Sequence, residues 1–319
     1  MKFAIAGAGA IGAYIGAKMA RAGMDVTLFA RGPHCRAMRE HGVRVESHEG
    51  NFEARPRVVE SLDAVGPVDV VFLGVKAHSL PALAPHLRPL FHESTVVVSM
   101  QNGIPWWYFA GDARLESVDP GGVVAAAIEP RRVLGSIVYL STEIVQPGVV
   151  RHTEGNRITI GEPDGERSER ARVIAAALVE AGLRAPVSAH IRQEIWVKLL
   201  GNIAFNPISA LTGATLVTMA RHPEVSKLVR GIMAETESVA HKLGIEMPIT
   251  IDQRIAGAEK VGEHKTSMLQ DLEASRPLEL DAILGAALEL GERLGIAMPH
   301  ARAVYACAKL LEKQRRCTQ

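Results

Sequence analysis

The sequence predicts an α/β protein, with an N-terminal Rossmann-type doubly wound sheet followed by an all-α C-terminal domain. Short apolar runs without polar alternation recur in the first part of the 319-residue chain, as is typical of strands buried on both faces of a parallel sheet. Helix-like segments separate them, and after about residue 189 only helical periodicity continues. The predicted strands are Phe3–Ala6, Val26–Phe29, Val68–Val75 and Thr95–Ser99, and the predicted helices lie at about 11–22, 34–41 and 79–88.

A change of pattern marks the end of this first domain. Residues from about 134 to 162, with the turn Gln146-Pro147-Gly148, indicate antiparallel strands joined by a hairpin. A helix near 166–181 and a short strand around 183–187 follow. We therefore predict a dinucleotide-binding domain over 1–187 and a helical substrate-binding and catalytic domain over 188–319, a length sufficient for two separate cores.

Composition excludes several function classes. The 36 basic and 35 acidic residues nearly balance, so neither nucleic acid nor an anionic membrane is an expected partner. Cys35, Cys307 and Cys317 have no metal-type spacing, and we expect no disulfide framework and no metal. The sequence shows no signal-peptide pattern and no apolar run of about 18 residues, so a soluble, cytoplasmic protein is expected.

A glycine-rich turn follows the first predicted strand and opens an apolar helix. In a G-x-G-x-x-G turn the first glycine permits a tight turn, the second admits a pyrophosphate, and the third allows close helix packing. The helix N-terminus then offers free N–H groups to the phosphates. This context favours dinucleotide binding over a purely structural turn. The predicted binding residues are Gly7, Ala8, Gly9, Ala10, Ile11 and Gly12.

The end of the second predicted strand indicates which dinucleotide is bound. Arg31 occupies the region where an NAD-preferring fold carries an acidic residue. A guanidinium there can pair with a ribose 2′-phosphate, whereas a carboxylate would repel it. The alternative is a solvated surface arginine. We predict NADPH as the cofactor.

Two later turns of the same sheet carry polar residues. Lys76 ends the run Val70–Val75, and Asn102 lies in Gln101-Asn102-Gly103, directly after the next predicted strand. Ligands of open α/β sheets bind beyond the carboxyl ends of the strands, so both residues are expected to face the nicotinamide half of the cofactor. A solvated strand end and an ordinary Asn-Gly turn are the alternatives.

Three polar residues recur at intervals of four in an otherwise apolar helical segment. Lys198, Asn202 and Asn206 therefore lie on one stripe of a helix. An amine and two amides are costly to bury without partners, and lysine is almost never fully buried unless paired. The stripe predicts one wall of a pocket. A core helix whose polar groups bond to a neighbouring segment is the alternative.

Taken together, these motifs resemble the ketopantoate reductase family, the NADPH-dependent 2-dehydropantoate 2-reductases of pantothenate synthesis. The resemblance spans nearly the whole chain and rests on an ordered set of motifs. These are GAGAIG, Ala30-Arg31-Gly32, Gly74-Val75-Lys76, Gln101-Asn102-Gly103, Gln146-Pro147-Gly148, Gly155–Gly161, Trp196–Pro207, Ser267–Leu272, Glu279 and Asp281.

The resemblance implies a reaction and a role for each site residue. A 2-oxo acid would be reduced to a 2-hydroxy acid, ketopantoate to pantoate, with Lys198 as proton donor. Asn202, Asn206 and Ser267 would bind the substrate, and Asn102 would contact substrate and cofactor. Lys76 and Arg31 would bind the cofactor, with Glu279 on its ribose side.

Two departures from the family pattern leave the substrate open. Trp106–Phe109 are consecutive aromatics after the Asn102 turn, and Leu216 stands where the family often has a polar residue. The aromatic run is either a packed local core or a pocket wall or lid for a bulkier oxo acid. A β-hydroxyacid dehydrogenase and an NADPH-sensing regulator without turnover are also compatible with the dinucleotide-binding motif. The long apolar C-terminal helices could also form a homodimer interface.

Overall fold

The protein is described from a computed structural model covering residues 1–109 and 111–317. It divides into two units, each with its own internal packing. The first comprises Met1–Gln101 and Gly122–Ile191, and the second Asn102–Gly121 and Arg192–Gln319. The predicted division after residue 187 stays a prediction. The sequence had not indicated that the segment Asn102–Gly121 packs with the helical part of the chain.

The first unit is built on one nine-stranded sheet with the order β4-β3-β9-β8-β7-β6-β1-β2-β5. Neighbouring strands are parallel except in the β3–β4 and β8–β9 pairs. The parallel centre confirms the predicted Rossmann-type fold, and the β8–β9 hairpin confirms the predicted antiparallel pair. The strands are β1 Lys2–Ala6, β2 Asp25–Phe29, β3 Val43–Ser47, β4 Phe52–Ala54, β5 Arg57–Val59, β6 Val70–Leu73, β7 Val96–Ser99, β8 Val133–Gln146 and β9 Val149–Gly161.

The helices of the first unit pack on this sheet through apolar faces. Tyr14, Ile15 and Met19 of the first helix are fully buried. Gly16 of the same helix has no room for a side chain, because an added Cβ would lie 2.3 Å from Leu28 Cδ2. The helices are α1 Ala10–Arg21, α2 Gly32–His41, α3 Leu80–Leu83, α4 Val123–Ala127 and α5 Glu169–Glu180.

Two sequence predictions in this unit are wrong. The helix expected at 79–88 is broken into the single turn α3 and short 3₁₀ turns. Pro81, Pro85 and Pro89 recur every four residues there, and each lacks the N–H that a continuous helix needs. The strand expected at 183–187 forms only isolated parallel bridges, from Arg184 and Val187 to β9.

Helices are the only regular elements among the described residues of the second unit, as predicted for the C-terminal domain. A loop that contains Pro277 interrupts the helices, and a π-helical turn at Asp281–Gly285 then leads into the next helix. Within the described part of the chain, no helix combines the length and apolar character needed to span a bilayer. The helices are α6 Ile191–Thr212, α7 Leu216–Arg221, α8 Pro223–Lys242, α9 Ile251–Val261, α10 Ser267–Glu273, α11 Ala286–Leu294 and α12 Pro299–Cys317.

Candidate active site

The glycine-rich turn between β1 and α1 contains two glycines that the packing of the protein requires and one that it does not. Gly7 has φ +108°, and a Cβ there would lie 2.6 Å from the Val75 backbone nitrogen. A Cβ on Gly12 would lie 2.4 Å from the Gly7 carbonyl oxygen. At Gly9, by contrast, nothing in the described structure lies within 4 Å of the added atom. Gly9 therefore leaves open space beside the backbone, as the approach of a pyrophosphate requires.

The start of α1 provides the electrostatics for such a ligand. The helix begins at Ala10 with Gly9 as its N-cap, and in the described residues no side chain caps it. Its first turn carries no acidic residue, whereas Lys18 and Arg21 lie in the last turn. The first backbone N–H groups and the positive end of the helix dipole therefore suit an anionic group. The turn fits the diphosphate of a dinucleotide.

Arg31 is held near this turn by the backbone of β2. The Phe29 carbonyl accepts from the backbone nitrogens of Gly7 at 3.2 Å and Ala8 at 2.7 Å, which joins the end of β2 to the glycine-rich turn. Arg31 follows two residues later, in extended conformation, as the N-cap of α2. Its side chain is exposed and therefore accessible to a ligand phosphate.

The ends of β6 and β7 are tied together by Gln101, a residue that no sequence pattern had singled out. Its amide nitrogen donates to the carbonyls of Leu73 and Val75, at 2.9 Å each. Lys76 follows Val75, is half-buried, and precedes the 3₁₀ turn Ala77–Ser79. The only sequence signal for Gln101 was its place beside Asn102 at the end of a strand.

Asn102 belongs to the second unit, where the segment that begins with it is firmly attached. Gly103 has φ +85°, and a Cβ there would lie 2.0 Å from the Ala282 carbonyl oxygen, which also accepts from Ile104 N. Further along, Glu289 accepts from the backbone nitrogen and the hydroxyl of Ser117, at 2.9 and 2.6 Å. These contacts hold the Asn102 turn against the helices.

Lys198, Asn102 and Glu279 form one hydrogen-bonded chain within the second unit. The Lys198 ammonium donates to Asn102 Oδ1 at 2.8 Å, and Asn102 Nδ2 donates to Glu279 Oε2 at 3.0 Å. An ammonium can only donate and an ionised carboxylate can only accept, so the two neighbours define which way the Asn102 amide points. Glu279 is only 7% exposed, so water screens its negative charge weakly and the charge acts strongly on neighbouring groups.

Burial adjusts the acidity of Lys198. The pKa of the ammonium is lowered to about 8 by three effects together: desolvation, the largest, lowers it, the negative charge of Glu279 raises it, and the positive charge of Arg254 lowers it. The lysine is therefore mostly protonated at neutral pH, yet it can release its proton more readily than an exposed lysine. This acidity suits a general acid that acts near neutral pH.

The other predicted substrate-binding residues lie outside the Lys198–Asn102–Glu279 hydrogen-bonded chain. Asn202 is half-buried and Asn206 is 6% exposed, on the stripe of α6 that carries Lys198. Ser267 is exposed at the first position of α10, where the preceding Thr266 is the N-cap. In the described residues, no hydrogen bond joins Ser267 to the Lys198–Asn102–Glu279 chain.

The aromatic run after the Asn102 turn is packed rather than open. Trp106, Trp107 and Tyr108 are at most 9% exposed. Trp196 Nε1 donates to the Tyr108 hydroxyl at 2.9 Å, and the Arg192 guanidinium lies 4.6 Å from the Tyr108 ring centroid. These contacts favour the local-core interpretation of the run over the pocket-wall interpretation.

Comparison with known proteins decides the family. Residues 3–165 match the family model for ketopantoate reductase PanE/ApbA, and residues 190–312 match the model for its C-terminal part. The chain belongs to the ketopantoate reductase family. A 2-dehydropantoate 2-reductase of Mesorhizobium japonicum is 47% identical to it, over 99% of both chains.

Two solved structures are also similar to this chain in fold. A candidate ketopantoate reductase from Ralstonia solanacearum MolK2 has a TM-score of 0.93 and 38% identity, with 98% of each chain covered. A ternary structure of D-mandelate dehydrogenase with NADH and anilino(oxo)acetate has a TM-score of 0.87 and 25% identity, with 99% of this chain and 100% of that chain covered. Both resemblances therefore extend over nearly the whole length of this chain.

Proposed function

We propose that this chain reduces a 2-oxo acid to the 2-hydroxy acid with NADPH, and that its substrate is ketopantoate, which gives pantoate. The observation that carries the proposal is the Lys198–Asn102–Glu279 chain, in which a half-buried ammonium of lowered pKa is held by an amide and a carboxylate. Membership of the ketopantoate reductase family supports the same reaction.

The chemistry assigned to Lys198 is protonation of the developing alkoxide. NADPH, when bound, supplies a hydride to the carbonyl carbon, and negative charge then grows on the carbonyl oxygen. The Lys198 ammonium stabilises that charge and transfers one proton to the oxygen, which leaves a neutral amine and the product hydroxyl. Asn102 keeps the ammonium oriented through its 2.8 Å hydrogen bond.

The amides on the same helix suit substrate binding. Asn202 and Asn206 carry both donors and acceptors, so they can bond to a carboxylate or a distal hydroxyl without adding charge beside Lys198. Ser267 is proposed as a further substrate ligand. For the cofactor, we propose the glycine-rich turn for the diphosphate, Arg31 for the 2′-phosphate, and Lys76, Asn102 and Glu279 toward the nicotinamide ribose.

The direct test measures oxidation of NADPH, by loss of its absorbance, in the presence of ketopantoate. Turnover with a KM at or below the millimolar range is expected for a physiological substrate. Tight NADPH binding without oxidation by any oxo acid would instead support a nucleotide-sensing regulator. A panel of 2-oxo and 3-oxo acids in the same assay separates ketopantoate from other substrates.

A bulkier 2-oxo acid is the second candidate substrate. It is favoured by the likeness to D-mandelate dehydrogenase, whose ternary structure holds anilino(oxo)acetate. The burial of Trp106, Trp107 and Tyr108 argues against a bulkier substrate. These rings pack on one another and on Trp196, so they do not form an open pocket wall. A higher kcat/KM for an aromatic 2-oxo acid than for ketopantoate would reverse this order.

Arg31→Ala is expected to remove the preference for NADPH. The exposed guanidinium would lose its pairing with the 2′-phosphate, so the ratio of kcat/KM for NADPH over NADH should fall about tenfold or more. Arg39→Ala, at an exposed arginine on α2, is the matched control. An unchanged ratio in Arg31→Ala would show that another residue selects the cofactor.

The rate of carbonyl reduction is expected to fall as pH rises through about 8. Lys198 must be protonated to act as the acid, and its pKa of about 8 sets the upper limit of the active range. Activity is therefore fully present below that pKa and is lost above it. A profile of kcat against pH, measured with saturating NADPH and oxo acid, checks this. A basic limb near 10, where an ordinary lysine titrates, would contradict the assignment.

A further inference from the structure

One face of α12 holds the segment that carries Glu279. Tyr305, Lys309 and Glu312 follow one another at helical spacing, so their side chains lie on one face of that helix. Directly before Glu279, the backbone nitrogen of Leu278 donates to Glu312 Oε1 at 3.1 Å. The backbone that enters the Glu279 position is therefore fixed to α12.

Asp281 forms the attachment on the other side of Glu279. It is one of the residues by which the sequence resembles its family, and it has no role in the proposed reaction. The Tyr305 hydroxyl donates to Asp281 Oδ1 at 2.5 Å, and the Lys309 ammonium donates to Oδ1 and Oδ2 at 3.2 and 3.1 Å. Burial and the hydrogen bond to Asp281 raise the pKa of the Tyr305 hydroxyl, so it stays protonated and acts as a donor. Both carboxylate oxygens of Asp281 are thus bonded to α12.

The turn that begins with Asp281 also holds the Asn102 segment. It is a π-helical turn, a form that is frequent at functional sites. The carbonyl of Ala282, the next residue, accepts from Ile104 N at 3.0 Å. On the other side of Asp281, Glu279 Oε2 accepts from Asn102 Nδ2 at 3.0 Å. Asp281 therefore lies between the two contacts that hold the Asn102 turn.

We propose that Asp281 is a positioning residue: anchored to α12, it keeps Glu279 within hydrogen-bonding reach of Asn102. Asn102 in turn orients the Lys198 ammonium through its 2.8 Å hydrogen bond. This inference rests on the proposed function, because it names a residue that supports the proton donor of that reaction. A misplacement of about 1 Å can cost about a hundredfold in rate, so an anchor two residues from Glu279 can affect the reaction without touching the substrate.

Asp281→Ala removes the anchor and should lower kcat for ketopantoate by about tenfold to a hundredfold, because the proton donor is misplaced. The basic limb of the kcat profile against pH should also move to lower pH. Besides desolvation, the largest effect, Glu279 raises the pKa of the Lys198 ammonium and Arg254 lowers it, and the variant retains both residues. A displaced Glu279 stabilises the ammonium less. A loss of stability alone would not move this limb.

Three companion variants complete the comparison. Asp281→Asn removes the charge but keeps an oxygen that can accept from Tyr305, so it should retain most of the activity. Tyr305→Phe removes only a hydroxyl and should move the limb in the same direction by less, which keeps the test available if Asp281→Ala does not fold. Arg302→Ala, at an exposed arginine on α12 that pairs with Glu292, is the matched control and should leave kcat and the limb unchanged.

Titration of Lys198 by NMR separates this inference from the proposed function. With lysine isotope-labelled at Cε, the Lys198 signal is identified by its absence from Lys198→Ala, and its dependence on pH gives the pKa without turnover. A lower pKa in Asp281→Ala than in the wild type supports the inference even when ketopantoate is not reduced, and only the proposed function then fails. An unchanged titration overturns the inference. So does a wild type that reduces ketopantoate with the same kcat as Asp281→Ala.

Discussion

Replacing Lys198 by alanine is expected to lower kcat for 2-oxo acid reduction by about three orders of magnitude or more. The variant loses both the proton donor and the charge that stabilises the developing alkoxide. It also leaves Asn102 Oδ1 without the 2.8 Å hydrogen bond that it accepts from the ammonium. Steady-state NADPH oxidation with saturating ketopantoate measures the loss.

Two further measurements distinguish this loss from misfolding. NADPH binding, followed by the fluorescence of the bound nicotinamide, should be retained in Lys198→Ala, because the proposed diphosphate site lies in the first unit. Lys198→Arg keeps a positive charge but gives up its proton far less readily, so its kcat should lie between those of the wild type and the alanine variant. Lys227→Ala, an exposed lysine on α8, is the matched control. A kcat for Lys198→Ala within about tenfold of the wild type would remove Lys198 from the mechanism.

The parts of the fold that could be predicted from the sequence are those governed by local pattern. The buried strands β1, β2, β6 and β7 are continuous apolar runs, and the hairpin turn at Pro147-Gly148 identifies β8 and β9. The three strands β3, β4 and β5 were missed because they are short and carry charged residues. The parallel pairing of β3 with β9 joins residues about a hundred positions apart, and such a contact leaves no periodic signal.

The same distinction applies to the candidate site. The glycine-rich turn and the Lys198 stripe were recognisable because their function depends on spacing within one element. Asn102 was predicted as a cofactor and substrate contact, but its hydrogen bond with Lys198 was not predicted, since the two residues are 96 positions apart. Arg254 of α9 was not anticipated at all, because it lies on an amphipathic helix among other charged residues. The approach of its guanidinium to Gly201 of α6 is visible only in the packing of the two helices.

Gly9→Val is expected to weaken NADPH binding by about a hundredfold while leaving the fold intact, the loss expected if two hydrogen bonds to the diphosphate are prevented. The backbone at Gly9, with φ −73° and ψ −158°, is extended, and nothing in the described structure lies within 4 Å of an added Cβ. A side chain there therefore meets no protein atom, but it occupies the space into which a diphosphate must come to reach the N–H groups of α1. Titration of NADPH, with the Kd read from nicotinamide fluorescence, measures the effect.

Gly12→Ala provides the contrast that makes this result interpretable. An added Cβ would lie 2.4 Å from the Gly7 carbonyl oxygen and 2.8 Å from Ile5 Cγ2, so this variant must push α1 away from β1. It should therefore lower the thermal unfolding midpoint, whereas Gly9→Val should leave that midpoint near the wild-type value. The two glycines are three residues apart in one turn, yet one serves packing and the other ligand access. If Gly9→Val bound NADPH as tightly as the wild type, the open space at Gly9 would have no part in holding the diphosphate.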